Sequence, residues 1–181
     1  MFEGTQNWFK ICYFLTAMIP AYALFILELD IKDRLISYGC VLLSVAIGLI
    51  IGLILKSILF KRSKTAVVTP NYTVKLVSKN GEILSFIFGI IIPSVLLPGQ
   101  AGNVEKTVIF FVIQLLCYLV IVRSSTILPN VILLVLGIDV YFVEENEFIL
   151  TIHQKIKTSE KVIQVYRLGD SSENNIFIKD N

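Results

Sequence analysis

LISYGCVLLSVAIGLIIGLIL, residues 35–55, contains no charged side chain. As an α-helix rising about 1.5 Å per residue it reaches about 31 Å, close to the hydrocarbon thickness of a bilayer. The run predicts a membrane-spanning helix over about 35–57. Lys56 ends it, followed by Lys61, Arg62 and Lys64, the densest positive cluster in the chain, which the positive-inside rule assigns to the cytoplasm. Within the helix Cys40, Ser44, Gly48 and Gly52 recur every fourth residue. Small side chains at that spacing let another backbone approach closely, so Ser44, Gly48 and Gly52 are expected to be helix-packing residues. Their neighbour is either another helix of the same chain or a second copy.

Toward the N-terminus, Ile11 to Leu27 is uncharged and follows Trp8, Phe9 and Lys10, an aromatic and cationic set suited to the membrane interface. Ala21-Tyr22-Ala23 resembles a signal-peptide cleavage site. Against that reading, Glu3 offsets Lys10 and the apolar run continues through Leu24 to Leu27. A first span over about 9–28 is expected, bent near mid-depth by Pro20. It leads to a short outside loop holding Glu28, Asp30, Lys32, Asp33 and Arg34.

Toward the C-terminus, residues 61–82 carry five basic residues and one acidic residue and form a cytoplasmic loop. Tyr72 to Val77 alternates in character ahead of Ser78-Lys79-Asn80-Gly81, which predicts a strand and a tight turn. A third span is expected over about 83–98, kinked at Pro93 and stopped by Pro98-Gly99. A fourth, over about 107–123, ends at Arg123. Residues 124–138 stay uncharged, but Ser124-Ser125 and Pro129-Asn130 leave an apolar stretch far short of the roughly 20 residues a crossing needs, so they are expected to lie at the interface. Lys10, Lys61, Arg62, Lys64, Lys75, Lys79 and Arg123 then fall inside, and Lys32, Arg34 and Lys106 outside. Both termini should be cytoplasmic.

Residues 139–181 have the composition of a soluble module. Val140 to Val143, Phe148 to His153, Val162 to Leu168 and Ile176 to Ile178 read as an antiparallel meander. So short a module cannot bury a core alone, and the strand near Tyr72 to Val77 or other subunits should complete it. The expected fold class is an α-helical membrane protein: a four-helix transmembrane domain over 1–138 with a small cytoplasmic antiparallel β-rich module over 139–181.

Composition and motifs exclude several roles. Hydrophobic residues make up 55% and charged residues 17%, against about 25% charged in soluble domains. A net charge of +2, with its cations gathered beside apolar runs, gives no direct nucleic-acid surface. Cys12, Cys40 and Cys117 sit in apolar runs without metal-ligand spacing and read as small buried hydrophobes. No nucleophile lies beside a base, no glycine-rich loop follows a strand, and His153 is isolated in an expected strand. No enzyme activity, cofactor or metal is expected. Gln114 and Ser44 are the notable polar side chains within the spans and should bond between helices. Lys56 should snorkel to the cytoplasmic surface.

The order of features, with Pro20 and Pro93 in the first and third spans, then Asn130, Leu133, Leu134, Gly137 and Tyr141 through Glu144 leading into a β-rich tail, resembles the KwaA family, the membrane subunit of the Kiwa anti-phage defence system. The resemblance implies a homo-oligomer, a tetramer, in the bacterial inner membrane. It also implies a cytoplasmic DNA-binding effector, KwaB, as partner, which the membrane subunit restrains or releases when it senses phage attack. The expected role is a sensor and scaffold whose β layer and basic loop dock the effector, through Lys61, Arg62, Lys64, Tyr141, Tyr166 and Arg167. The alternative is a small oligomeric channel or transporter, which should show a polar stripe on one span.

Overall fold

In the computed structural model, which describes residues 6–65, 68–72, 77–78, 82, 86–87, 91–92, 102–123, 127–143, 147–152, 163–167 and 176–179, the first apolar run is two helices. They are α1 (Asn7–Ala17) and α2 (Ile19–Glu28), bent by 48° at Met18. Proline lacks the N–H that would bond the carbonyl four residues back, yet it fits the first turn of a helix. The break therefore falls ahead of Pro20, which occupies the opening turn of α2.

Helix α3 (Arg34–Thr65) follows after a short connection. Its Ser37, Gly48, Gly52, Leu55 and Leu59 are buried, whereas Leu35, Leu42, Leu43 and Ile50 are exposed, Leu42 by 70%. So many large apolar side chains turned outward suit lipid as solvent. Cys40 is exposed, contrary to its expected burial. A repeat of four drifts about 40° per step against a 3.6-residue turn, so Cys40 lies about 120° around the helix from Gly52. The buried stripe instead begins at Ser37.

Helix α4 (Asn103–Arg123) lies against α1 and α2 through an aromatic ladder. Phe110 stacks on Phe25 with centroids 4.1 Å apart and meets Tyr22 edge-on, while Tyr118 meets Phe14 edge-on. High numbers on α4 thus face low numbers on α1, and the helices run antiparallel. The start of α4 is tied to the α2–α3 connection: the Asp30 N–H donates to Asn103 Oδ1 and Asn103 Nδ2 donates to the Asp30 carbonyl, both at 3.1 Å. Among the described residues two helices are long and apolar enough to cross a membrane, Arg34–Lys61 within α3 and Asn103–Arg123, and α1 with α2 adds a third if the bent pair is one span. Of the expected span over 83–98, Phe86, Ile87, Ile91 and Ile92 are described; Phe86 and Ile91 are buried in the common core. Pro93 and Pro98 lie outside the described residues.

Much of the segment expected at the interface packs against the rest of the protein. Ile127, Leu128 and Asn130 are buried, and a short helix α5 (Val131–Val135) follows, burying Ile132 and Leu133. Five residues span only about 8 Å, so α5 does not cross a bilayer. Ser124-Ser125 lies outside the described residues.

The strands are β1 (Val68–Tyr72), β2 (Val77–Ser78), β3 (Ile138–Val143), β4 (Glu147–Ile152), β5 (Ile163–Arg167) and β6 (Ile176–Lys179). They form one sheet in the order β1-β5-β6-β4-β3-β2. It is not the expected antiparallel meander, because β6 slots between β4 and β5 and runs parallel to β4, with Phe148 opposite Ile176 and Thr151 opposite Lys179. The other pairings are antiparallel. Strands β1 and β2 come from the loop after α3 and close the two edges, which gives the short tail the pairing surface it lacks alone. The Asn80-Gly81 turn, Glu144 and His153 lie outside the described residues.

The core is continuous from helices to sheet. Tyr13, Met18, Phe110, Leu55, Leu59, Leu133, Ile138, Val140, Phe148 and Leu150 belong to one buried cluster. In β3 and β4, Ile138 faces Ile152, Val140 faces Leu150 and Phe142 faces Phe148, forming the side of the sheet that meets the helices.

Candidate functional site

Helix α5 is too short to be stable by itself. Both its ends are held by side chains from elsewhere, and that arrangement is the candidate functional site. At its start Asn130 is the N-cap, its Oδ1 accepting from the Leu133 N–H at 3.1 Å. The Asn130 amide turns the other way, donating to Thr16 Oγ1 at 2.8 Å and to the Tyr13 carbonyl at 3.2 Å. The Tyr13 hydroxyl donates to the Leu128 carbonyl at 2.7 Å, and the Thr16 hydroxyl bonds back to the carbonyls of Cys12 and Tyr13. On α1 all of this lies within two turns of the break at Met18. A buried amide with both ends satisfied fixes the register of α1 against the chain entering α5.

At its other end, Lys56 Nζ donates to the Leu136 carbonyl at 2.7 Å. A cation at a helix C-terminus meets carbonyls that have no intrahelical partner. Lys56, expected to snorkel toward the cytoplasmic surface, is half-exposed, with a carbonyl acceptor within reach of its stem. Gly137 follows with φ 79°, a conformation that L side chains rarely adopt, and turns the chain directly into β3. Asn130, which reads in the sequence as a break in an apolar run and a point of resemblance, and Gly137, a point of resemblance alone, are thus the two terminators of α5.

The small residues of α3 face the same assembly. A Cβ built on Gly48 would lie 2.5 Å from Cγ1 and 2.7 Å from Cδ1 of Ile19, at the first residue of α2. One on Gly52 would lie 2.8 Å from Ile132 Cγ2 and from Leu136 Cδ1, on α5. Both glycines accordingly contact helices of their own chain. Ser44 is half-buried and donates to the Val41 carbonyl of its own helix at 2.8 Å.

The expected docking residues divide into two groups. Lys61 is exposed near the end of α3; Arg62 and Lys64 follow in the same helix, and their side chains lie outside the described residues. Tyr166 and Arg167 are in β5, where Val68 pairs with Tyr166, so the β1–β5 ladder brings that strand beside the chain leaving α3. Their side chains also lie outside the described residues. Tyr141 is three strands away in sheet order, about 14 Å at the usual strand spacing, and is buried, at 7% exposure, opposite Ile149. It packs within the module.

Gln114 is buried on α4, and neither its amide nitrogen nor its oxygen has a partner among the described residues, in contrast to the interhelical bond expected of it. Among the described residues no group of three or more His, Cys, Asp or Glu could hold a metal ion. The arrangement at α5 joins groups mechanically: one short helix is bonded to α1 and α3, packed on both, and continuous with β3, which pairs with β4.

These features are those of a helical protein whose described residues include two helices, or three with the bent pair, long and apolar enough to cross a membrane, with an attached mixed sheet. The chain matches the family described as Anti-phage protein KwaA over residues 9–178, nearly its whole length, and it belongs to that family. Its role is accordingly in defence against phage. No curated protein and no solved structure matches it.

Proposed function

We propose that this chain is a non-enzymatic inner-membrane sensor and scaffold that holds a soluble cytoplasmic effector of the KwaB type and passes it a signal arising in the membrane. The observation that carries the reading is the bonding of α5 to α1 through Asn130 and to α3 through Lys56, whose acceptor Leu136 lies two residues before β3 begins. A relative movement of α1 and α3 has to strain or break one of those bonds, and either change bears directly on β3 and, through it, on β4. Packed elements with two discrete arrangements can carry such coupling, whereas a flexible linker cannot.

Four crossings accord with the geometry. Asn103 is bonded to Asp30, beside the start of α3, while α3 ends at the sheet. With α3 inserted, a further crossing between residues 66 and 102 would bring the chain back to the start of α4. The basic residues that follow α3 support a cytoplasmic side for the sheet and both termini. The outward faces of α3 and α4 are apolar, which suits lipid or a second copy in a homo-oligomer better than a water-filled pore.

The experiment is capture of the co-expressed effector by the tagged membrane chain in mild detergent, followed by phage challenge in cells. A chain cut after Ile138 should insert but capture no effector. Lys56→Met should still capture it while protecting cells less well. Retention of the effector by the truncated chain would move docking to residues 61–82 or into the membrane.

A further inference from the structure

Beside the α5 junction an open groove of about 310 Å³ runs between α3 and β4, lined by Leu53, Lys56, Ser57, Phe60 and Ile152. Leu53 and Phe60 are half-exposed, and Lys56 and Ser57 lie between them on the helix. The groove is therefore apolar along its length, with a cation and a hydroxyl at one level. That level lies about one turn before the end of the span at Lys61, within reach of a headgroup.

We propose that this groove is a binding site for one anionic phospholipid, its phosphate at Lys56 and Ser57 and its acyl chain running from there along Leu53 toward the bilayer interior, with Phe60 beside the headgroup. Charge selects the occupant. From Leu35 to Gly81 the chain contains no Asp or Glu, and it carries Lys56, Lys61, Arg62, Lys64, Lys75 and Lys79. Cations gathered just beyond a span attract anionic lipid, and a basic pocket at that depth can hold its headgroup. A zwitterionic lipid of the same chain length fits the apolar part equally well but gains no net attraction. Because the Lys56 ammonium also bonds the Leu136 carbonyl, the lipid would touch the residue that ties α3 to α5. The proposal needs α3 in a bilayer but not the effector, so its failure would leave the scaffold reading standing, and loss of effector capture would leave the lipid site standing.

Native mass spectrometry of the full chain released from mild detergent, with phosphatidylglycerol or phosphatidylcholine added at equal concentration, tests it. Phosphatidylglycerol should be retained as a single strong adduct, at least about fivefold more than phosphatidylcholine, the ratio that about 1 kcal/mol provides. Lys56→Met should remove the preference. Since that variant also loses the bond to Leu136, Ser57→Phe is the second arm: it fills the groove from an exposed position and leaves Lys56 in place, and it should abolish the retained adduct with unchanged thermal stability. Equal retention of the two lipids, persistence of the adduct in Ser57→Phe, or displacement of the lipid by inorganic phosphate alone would each overturn the proposal.

Discussion

The ammonium of Lys56 in α3 donates to the carbonyl of Leu136 at 2.7 Å, joining two points 80 residues apart in sequence where the membrane helices meet the sheet. A charged donor on a carbonyl at a helix end is worth more than a neutral pair, on the order of 1.5–3 kcal/mol. Lys56→Met keeps the apolar stem and the insertion of α3, and should lower the stability of the solubilised chain by about that amount. Lys56→Arg should restore part of it. Thermal unfolding, with hydrogen exchange over Leu133 to Val140, checks both: exchange there should speed up while exchange in the middle of α3 does not change.

Asn130 should prove the most sensitive polar position outside α3. Asn130→Leu removes the N-cap of α5 and leaves the buried Thr16 hydroxyl and Tyr13 carbonyl without their amide donor. Loss of a cap costs roughly 1 kcal/mol, and each amide bond lost roughly 0.5–1.5 kcal/mol more, since the Thr16 hydroxyl and Tyr13 carbonyl keep the bond between them. Asn130→Asp retains the cap acceptor but not the donor, and its melting temperature should fall between the two. Equal melting temperatures for all three proteins would refute the network.

Gly48→Ile separates packing within one chain from packing between chains. The new side chain meets Ile19, so it should destabilise each subunit by about 1–3 kcal/mol as an overpacked core does. Insertion should be normal, and the folded fraction should assemble as the parent does. The double variant with Ile19→Ala should regain much of the loss. Ile50→Leu, on the exposed face, should change nothing. Dissociation into smaller species without loss of subunit stability would show that the face belongs to a contact between copies.

Gln114 makes the opposite prediction. A buried amide without a partner costs about 2–7 kcal/mol relative to an apolar group of similar size, and Gln114→Leu should therefore raise the melting temperature. A lowered one would mean that the amide is satisfied in the bilayer.

Topology can be checked with single cysteines in a background lacking Cys12, Cys40 and Cys117. Lys32→Cys and Gly102→Cys, at exposed positions near the Asp30–Asn103 link, should react with an impermeant thiol reagent in intact cells. Lys61→Cys should react after the cells are opened. Reaction of Lys61→Cys in intact cells would invert the orientation and remove the argument for a cytoplasmic partner.

The sequence by itself determined the elements whose physics is local. A bilayer admits only long uncharged helices, so residues 35–55 could be read as a span from side chains alone, and Pro20 announced a break because a missing N–H is a property of one residue. The β runs after Asp139 were legible for the same reason. What the tertiary structure decided was which elements meet. Parallel insertion of β6 between β4 and β5 depends on a crossover that alternation in a strand does not encode. The partner of Gly48 and Gly52 was undetermined because a small-residue face fits any helix that comes close, and folding supplies α2 and α5. Lys56 looked like a snorkelling cation because its acceptor lies in a segment that reads as uncharged and structureless. Only the fold brings the end of α5 to it, and a hydrogen bond across 80 residues leaves no periodicity in either stretch of chain.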